Sequence, residues 1–479
     1  MAVLIIGHFN VLHPGHIRLF KFARNFESKL VVAVESDQLA GAAAQIPEKL
    51  RLEGVRSCSL VDEAFIFNEP VTELIDRLRP AIVVKGREFE TRFNPEAVVI
   101  ERYGGRLLFS SGEMRFSSAD LIRQEVAGRT NFPIELPVNY MARHDISVER
   151  LSTLVESFSK VRVLTVGDLI VDDYIACEPL GMSQEDPTLV VSPIDKKRFV
   201  GGAGIVACHA RGLGAESTLL SVTGTDATRE FCVTELQRRG VGNHLLEDHA
   251  RPTTLKERYR SHGKTLLRVS HLQQAAVSLP LQRELIEKAS EGLRNCDLLI
   301  FSDFNYGILP QAVVDELISI ARANKVRVAA DSQSSSQLGD ISRFKGIDLL
   351  LPTEREARVS TQNREDGLVV LAEQLRRKSN AKHILLKLAA DGVLVHSPDF
   401  SSNGWLTDQV GALNNSPKDV AGAGDSMLVA SALTLAAGGS IWEAACLGSI
   451  AAAVQVSRVG NFPLSSNQMK TVTSIRSIP

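Results

Sequence analysis

The sequence predicts two α/β units in succession, each built on a parallel sheet, with a β-rich insertion in the second. The chain has 479 residues, too many for one ordinary core, and short apolar runs alternate with amphipathic stretches in both halves. Residues 127–160 interrupt this alternation. We therefore predict a first unit over 1–126, a linker with a short helix over 127–160, and a second unit over 161–479.

The first unit follows a βα rhythm from its first residues. Its short apolar runs are typical of buried parallel strands, and the stretches between them have helical periodicity. The predicted strands are Val3–Ile6, Leu30–Val34, Ala64–Phe67, Ala81–Val84 and Leu107–Phe109, and the clearest helices are Ile17–Asn25 and Val71–Arg79.

The second unit opens with the apolar run Val161–Val166, after a predicted linker helix at Val148–Phe158. In two insertions, Leu189–Ser192 and Leu255–Val269, the alternation is closer to that of a β-ribbon. The apolar stretch Met427–Val454 is interrupted by two glycines and a glutamate, which favours a pair of buried helices over a membrane span.

Composition limits the function classes. Hydrophobic residues make up 44% and charged residues 23%, and the net charge of -2 predicts no general affinity for nucleic acid or anionic membrane. Six scattered cysteines without a CxxC pair indicate reduced thiols in a cytoplasmic protein. The N-terminus lacks the basic region of a signal peptide. Any phosphate site must therefore be local.

The first strand runs into the segment Gly7-His8-Phe9-Asn10-Val11-Leu12-His13-Pro14-Gly15-His16. His13 and His16 come near a helix N-terminus, where free N–H groups and the helix dipole favour anions. This pattern predicts a triphosphate site whose imidazoles stabilise charge on the α-phosphate. An ordinary helix start with two half-exposed histidines is the alternative, and the preceding strand disfavours it.

This segment resembles the cytidylyltransferase-like superfamily over roughly residues 1–126. The resemblance implies that the histidines are catalytic and that a further set binds the nucleotide: Gly7, Phe9, Asn10, Lys85, Ser117, Ser118 and Arg123. Three features depart from the family pattern: Asn10 replaces an aspartate, Ala119 replaces a hydroxyl residue, and Leu39–Gln45 has no basic residue. Losing a cationic clamp slows phosphoryl chemistry, so nucleotide binding is predicted more firmly than turnover.

A second motif, Asp419-Val420-Ala421-Gly422-Ala423-Gly424-Asp425-Ser426, precedes a helical run. Its small residues let backbone N–H groups converge into an anion hole, and Asp425 beside it can accept a proton from an attacking hydroxyl. A Gly-rich turn before a helix is common, but Gly201-Gly202-Ala203-Gly204 and the carboxylates after the first strand give it a context that suits a hydroxyl-rich ligand.

Together these segments resemble the PfkB/ribokinase carbohydrate kinase family from about Val161 to the end. The narrower resemblance is to the kinase half of bifunctional heptose 7-phosphate kinase / heptose 1-phosphate nucleotidyltransferases, with the domain order reversed. It implies a small Rossmann-like nucleotidyltransferase domain plus a ribokinase-like α/β domain with a β lid. The implied site residues are Asp425 as the base, Ala421, Gly422, Ala423 and Gly424 as the anion hole, Asp168, Asp172, Gly201 and Gly202 for the sugar, and Thr353, Glu356, Lys387 and Gly392 near ATP and Mg²⁺, with Glu356 as an indirect metal contact.

The kinase pattern has its own departures. Ile205 replaces an asparagine, Gln333 a lysine, Ala421 a threonine, and Thr353 the asparagine of an Asn-x-x-Glu motif. Lys256 and Arg258 form a basic pair suited to a substrate phosphate, although two solvated charges on a β-ribbon would look the same.

The predicted function is ATP- and Mg²⁺-dependent phosphorylation of a sugar phosphate, coupled to nucleotidyl transfer onto a sugar 1-phosphate. The product would be a nucleotide-activated, heptose-like sugar for surface polysaccharide. The predicted partners are the sugar phosphate and a nucleoside triphosphate, without nucleic acid or membrane, and the family implies a homodimer formed through the lid. Two alternatives remain: a sugar kinase with a degenerate nucleotide-binding domain, and a non-catalytic ligand-binding or scaffold protein.

Overall fold

The computed structural model describes residues 2–12, 14–24, 26, 29–86, 94–110, 134–261, 264–333, 339–399, 401, 404–414 and 416–473. The chain divides into two compact units, Met1–Asn131 and Phe132–Pro479. The described residues include no helix with both the length and the apolar character needed to cross a bilayer.

The first unit contains a five-stranded parallel sheet in the order β3-β2-β1-β4-β5. Its strands are β1 (Ala2–Gly7), β2 (Lys29–Glu35), β3 (Glu63–Phe67), β4 (Ile82–Gly86) and β5 (Arg106–Ser110). Its helices are α1 (Pro14–Arg24), α2 (Asp37–Ala40), α3 (Glu48–Arg56), α4 (Val71–Leu78) and α5 (Glu96–Arg102). All five predicted strands are confirmed.

The sheet of the first unit is apolar on both faces. In β1, Val3 and Ile5 pack with Phe20 of α1, whereas Leu4 packs with Leu74 of α4. Such two-sided burial explains why the strands are continuous apolar runs. β1 lies between β2 and β4, so chain order reverses there, and open α/β sheets bind ligands at the carboxyl ends of strands at such a point.

The second unit contains a nine-stranded sheet in the order β10-β9-β6-β13-β14-β15-β16-β17-β18. Neighbouring strands from β10 to β16 pair in parallel, whereas β17 pairs antiparallel with both β16 and β18. The strands are β6 (Arg162–Gly167), β9 (Glu216–Thr223), β10 (Gly242–Glu247), β13 (Leu298–Asp303), β14 (Arg327–Ser332), β15 (Leu349–Leu350), β16 (His383–Lys387), β17 (Val393–Pro398) and β18 (Trp405–Val410).

The helices of this unit are α6 (Val138–Arg143), α7 (Val148–Ser157), α8 (Ala203–Gly212), α9 (Ala227–Arg238), α10 (Leu279–Leu293), α11 (Gln311–Ala323), α12 (Glu354–Thr361), α13 (Leu368–Ser379), α14 (Ala423–Ala436), α15 (Ile441–Val456) and α16 (Ser466–Thr473). The predicted buried pair is confirmed as α14 and α15. A capping box between Ser440 and Glu443 starts α15, which explains the interruption in the apolar stretch.

A separate four-stranded sheet, in the order β12-β11-β7-β8, forms the predicted β lid. Its strands are β7 (Leu169–Met182), β8 (Leu189–Gly202), β11 (Thr254–Ser261) and β12 (Lys264–His271). The predicted segment Leu189–Ser192 is the start of the longer β8. The predicted ribbon Leu255–Val269 is a hairpin of two antiparallel strands.

The predicted linker is wrong as a linker, although its short helix is present as α7. Tyr140, Leu151, Leu154 and Phe158 are buried in the same apolar core as α14 and α15. The Tyr140 hydroxyl also donates to the carbonyl of Trp442 at 3.1 Å. Residues 134–160 therefore belong to the second unit, and their short, proline-flanked helices hid this from the sequence pattern.

Candidate active sites

Asp425 lies in the first turn of α14, directly after the small-residue turn. Gly422 caps this helix at φ 77°, and a Cβ there would lie 2.3 Å from Asn461 Oδ1, so only glycine fits. The Asp419 carboxylate accepts hydrogen bonds at 3.2 Å from the N–H groups of Ala421 and Gly460. These contacts fix the turn that the sequence predicted as an anion hole.

The Asp425 carboxylate is buried, and burial together with the nearby charge of Asp331 raises its pKa to about 7. Gln333 Nε2 donates a hydrogen bond to Asp425 Oδ1 at 3.1 Å. Gln333, a departure from the family pattern, thus contacts the predicted base. A carboxylate with a pKa near neutrality is suited to take a proton from a sugar hydroxyl.

The buried Asp331 forms an ion pair beside this turn with Lys387, which lines the cleft, and Lys387 Nζ lies 2.6 Å from Asp331 Oδ2. A Cβ on Gly424 would lie 3.5 Å from the same ammonium. Burial opposes the charge of Lys387, but Asp331 and Glu356 outweigh it and raise the pKa of the ammonium. The sequence analysis missed Asp331, although its place near the carboxyl end of a parallel strand was a usable signal.

Thr353 and Glu356 form a capping box at the start of α12. The Thr353 hydroxyl accepts from Glu356 N at 3.3 Å, and Glu356 Oε2 accepts from Thr353 N at 2.7 Å. Threonine caps a helix much as asparagine does, so this departure keeps the local structure. The described part of the chain contains no group of three or more histidine, cysteine or acidic side chains placed to hold a metal ion.

On the lid side, Asp172 Oδ1 accepts from Arg258 Nε at 3.2 Å and Nη2 at 3.0 Å. A Cβ on Gly201 would lie 2.5 Å from Asp172 Oδ2, and Gly202 has φ 55°. Gly201 therefore leaves room for the carboxylate, whereas Gly202 is required by its positive φ and by the Asp168 carbonyl, 2.2 Å from where its Cβ would lie.

Lys256, Arg258 and Arg260 alternate along β11, so they lie on one face of the strand. All three line the cleft, as does Arg268 of β12. The sequence analysis missed Arg260 and Arg268, and the period-two spacing of the first three residues could have revealed Arg260. Lys256 Nζ lies 4.8 Å from the Phe304 ring centroid.

One continuous cleft of about 2010 Å³ joins these groups. It is lined by most of the predicted kinase residues: Asp172, Gly202, Lys256, Arg258, Thr353, Glu356, Lys387, Gly392, Ala421, Gly422, Ala423, Gly424 and Asp425. The structure therefore brings the predicted sugar, nucleotide and base residues together along one surface.

Asp168 requires a correction, because it does not line the cleft. Its exposure is 0%, and Oδ2 accepts from the backbone N–H groups of Phe304 at 2.6 Å and Tyr306 at 3.4 Å. Burial and the neighbouring Asp303 raise its pKa to about 7. A carboxylate enclosed in this way holds a loop and is not placed to contact a sugar hydroxyl.

In the first unit, the turn after β1 is fixed from two sides. Arg51 is buried and donates to the His8 carbonyl at 2.7 Å and to Asp37 Oδ1 at 2.6 Å. His8 Nδ1 lies 3.0 Å from Glu35 Oε2, a contact that the sequence analysis did not predict. The rings of Phe9, which has φ 50°, and His16 meet edge to face with centroids 5.1 Å apart.

Asn10 holds the loop that lacks basic residues. Its Nδ2 donates to the Ala43 carbonyl at 2.8 Å, and its Oδ1 accepts from Gln45 N at 2.9 Å. An ionised aspartate could not make the first of these bonds, which gives this departure a structural reason. His13, Ser117, Ser118, Ala119 and Arg123 lie outside the described residues.

Lys85, predicted to bind the nucleotide, lies at the end of β4 beside Gly86. Its ammonium donates to Asn94 Oδ1 at 2.7 Å and pairs with the buried carboxylate of Glu96. A phosphate at this position would have to share the ammonium with these two side chains.

Comparisons with known proteins match each unit separately. Residues 162–466 match the pfkB family carbohydrate kinase pattern, and residues 4–108 match the cytidylyltransferase-like pattern. The Bifunctional protein HldE of Desulfatibacillum aliphaticivorans is 30% identical over 320 residues, covering 66% of this chain and 64% of that protein. The protein of the same name from Campylobacter jejuni subsp. jejuni serotype O:6 is 29% identical over 326 residues, covering 67% and 66%.

This chain thus spans about two thirds or less of the length of these curated relatives. Among solved structures, phosphofructokinase-2 from Escherichia coli in complex with substrates and products has a TM-score of 0.54 at 20% identity, covering 65% of this chain and 98% of that one. The predicted fold class, a Rossmann-like unit followed by a ribokinase-like α/β unit with a β lid, is confirmed.

Proposed function

The chain belongs to the pfkB family of carbohydrate kinases, and from that premise we propose that its second unit transfers the γ-phosphoryl group of ATP to a hydroxyl of a sugar phosphate. The observation that carries this proposal is the buried Asp425, with its pKa raised to about 7 by burial and by Asp331, in the first turn of α14 beside the anion hole.

Each part of the site has a task in this reaction. Asp425 accepts the proton of the attacking hydroxyl as the new O–P bond forms and the bond to the ADP leaving group breaks. The backbone N–H groups of Gly422 and Gly424 and the dipole of α14 stabilise the charge on the phosphoryl oxygens. Lys387, held by Asp331, neutralises charge on the same side of the cleft.

The described donors fit a magnesium ion that arrives with the nucleotide. Mg²⁺ keeps several waters and needs only one or two carboxylates besides the phosphates, so a larger protein cluster is not required. Asp331 Oδ1 is buried without a hydrogen-bond partner, and Glu356 is a buried carboxylate close enough to raise the pKa of Asp331. Glu356, which lines the cleft, would hold the ion, and the buried Asp331 would act on it only as a nearby negative charge. The ion would supply charge neutralisation to the phosphates.

The substrate we propose is a heptose-like sugar carrying a phosphate. Asp172 lies in the cleft as an acceptor for sugar hydroxyls, and the basic face of β11 suits a substrate phosphate. Lys256 influences the Asp425 carboxylate electrostatically, which supports a phosphate site close to the base.

For the first unit we propose binding of a nucleoside triphosphate and nucleotidyl transfer onto a sugar 1-phosphate. The cytidylyltransferase-like match and the bifunctional names of the relatives support this. The two units together would make a nucleotide-activated sugar for surface polysaccharide. A kinase with a degenerate first unit is the alternative, and the loop Leu39–Gln45 without basic residues is the observation that favours it.

We also propose a homodimer formed through the lid. The end of the β7–β8 hairpin exposes five large apolar side chains: Leu180, Met182, Leu189, Val190 and Ile194. A second copy presenting the same hairpin would cover them in a two-fold contact.

The kinase proposal is tested with Asp425→Asn, which keeps the shape of the side chain but cannot accept the proton. ADP formation that depends on a heptose 7-phosphate should fall by ~10²–10⁴-fold, while ATP binding and the folded structure persist. Unchanged sugar-dependent ADP formation in the variant would show that Asp425 is not the base.

A further inference from the structure

Asp168 is a buried carboxylate with no part in the reaction proposed above. It stands between the last residue of β6 and the first residue of β7, where the lid leaves the nine-stranded sheet. Burying an ionisable group is costly unless hydrogen bonds compensate it. The residues that donate hydrogen bonds to this carboxylate therefore indicate what it does.

Its two hydrogen bonds hold the backbone of Phe304 and Tyr306, in the segment after β13. The rings of these residues are nearly parallel, with centroids 6.2 Å apart and an interplanar angle of 28°. Lys256 Nζ lies 4.8 Å from the first centroid and 5.0 Å from the second. Two aromatic rings thus fix the position of one ammonium at the edge of the cleft.

The segment would not hold this shape by itself. Asn305 lies between the two aromatic residues with φ 59°, a backbone conformation that non-glycine residues adopt rarely. Asp303 Oδ1 accepts from Asn305 N at 3.0 Å, and Arg251 Nη1 donates to the Tyr306 carbonyl at 3.1 Å. Asp168 Oδ2 accepts hydrogen bonds from the N–H groups on either side of Asn305, those of Phe304 and Tyr306.

We propose that Asp168 is a positioning residue for Lys256. It fixes the backbone of Phe304 and Tyr306, their rings fix the ammonium, and the ammonium receives the phosphate of the sugar phosphate. This inference rests on the proposed function, in which Lys256 binds that phosphate. Asp168 would thus affect the affinity for the sugar phosphate although it does not line the cleft.

The test compares Asp168→Ala with Asp168→Asn in the full chain, using a heptose 7-phosphate and ATP as substrates. The alanine variant should raise the KM for the heptose phosphate about ten-fold or more, because a displaced binding group loses much of its contribution. Its KM for ATP should not change, and its kcat should change far less than its KM for the heptose phosphate. Asparagine keeps an acceptor oxygen and should restore most of the lost affinity. The inhibition constant of inorganic phosphate should rise in parallel with KM.

Two further variants act as controls. Glu373→Gln alters another buried carboxylate, which accepts from Arg376 and contacts His396 and does not line the cleft, so it should change thermal stability without changing KM. Phe304→Leu removes one ring and should raise KM as Asp168→Ala does, with no further increase in the double variant. If Asp168→Ala does not fold, Asp168→Ser is used in its place. The serine side chain is too short to reach the N–H groups of both Phe304 and Tyr306.

An unchanged KM for the heptose phosphate in a folded Asp168→Ala or Asp168→Ser variant overturns the inference. A variant that loses kcat together with affinity for both ATP and the heptose phosphate also overturns it, because such a loss indicates general damage to the site. Lys256→Ala separates this failure from a failure of the proposed function. If Lys256→Ala leaves both KM and inorganic phosphate inhibition unchanged, the proposed phosphate contact is wrong; if it raises them while Asp168→Ala does not, only the positioning role is wrong.

Discussion

At the scale of single residues, the ionisation of Asp425 sets the pH range of the proposed kinase. Burial and Asp331 raise its pKa to about 7, and only the ionised carboxylate accepts a proton. We therefore expect kcat/KM to rise with pH and to level off above about 7, since this ratio reports ionisation in the free enzyme. A pH profile that is flat from 5 to 8 would contradict this assignment.

The same pKa shift has a consequence for stability. Because the folded protein binds this proton more tightly than the unfolded chain, with a pKa of about 7 against 3.8, ionised Asp425 destabilises the fold as the pH rises between these values. Above that window the destabilisation persists. The folded Asp425→Asn variant used to test the kinase should therefore melt at the same or a higher temperature than the wild type at pH 8.

Only part of this residue-level description could be predicted from the sequence. Asp425 and Gly422 were predicted because a small-residue turn before a helix has a recognisable local pattern. The bond from Gln333 to Asp425 and the enclosure of Asp168 depend on residues more than 90 positions apart in the chain. Local patterning does not reveal such pairs, so a strand-end carboxylate that holds a loop has the same sequence pattern as one that binds a sugar.

At the scale of elements, the loop Leu39–Gln45, which has no basic residue, is where we expect nucleotide turnover by the first unit to be limited. Gln45 is exposed, and its backbone N–H is held by Asn10 in the turn that follows β1. We expect Gln45→Arg to increase nucleotidyl transfer about ten-fold, because a cation acts on the charge that develops in the transition state. The variant should bind the triphosphate with little change in affinity.

Gln45→Glu is the matched control, since it keeps the length of the side chain and reverses the charge. It should slow nucleotidyl transfer, and neither variant should change the kinase rate. Wild-type turnover at ordinary rates, on the order of 1–10³ per second, would show that the loop needs no cation. If the first unit binds no nucleoside triphosphate, the alternative of a sugar kinase with a degenerate nucleotide-binding domain is favoured.

The lid hairpin is the second element with a testable role. Ile194→Asp places a charge in the exposed apolar group at the end of the β7–β8 hairpin, and the dimer should dissociate about 30-fold more readily, as expected for loss of a contact worth about 2 kcal/mol. Val138→Asp introduces the same charge at an exposed apolar position on α6 and should leave the dimer intact. Light scattering at several protein concentrations measures both. A wild-type monomer at every concentration would refute the dimer.

Elements also show where sequence patterning failed. The strands were predicted well because parallel strands buried on both faces are short apolar runs with clear limits. α6 is only six residues long and starts after Pro137, so no helical period could establish itself before it ended. Its burial depends on Tyr140 packing in the core of α14 and α15, which lie about 300 residues later.

At the scale of the whole molecule, each unit has its own sheet and its own apolar core, and each carries its own predicted catalytic groups. Two domains with separate cores can lose one site without unfolding the other. The two proposed activities should therefore be separable by single substitutions, even though the product of one reaction can lead to the substrate of the other.

His16→Ala should abolish nucleotidyl transfer and leave the heptose phosphate kinase rate unchanged, and Asp425→Asn should do the reverse. His16 packs against Phe9 beside the turn after β1, whereas Asp425 lies in the first turn of α14, and the two residues belong to different units. Both rates are measured on the same preparations by mass spectrometry of the products, with circular dichroism to confirm folding. Mixing the two variants should restore both rates, each measured with its own substrate, because each variant supplies the site that the other lacks. Loss of kinase activity in folded His16→Ala would show instead that the first unit influences the site of the second.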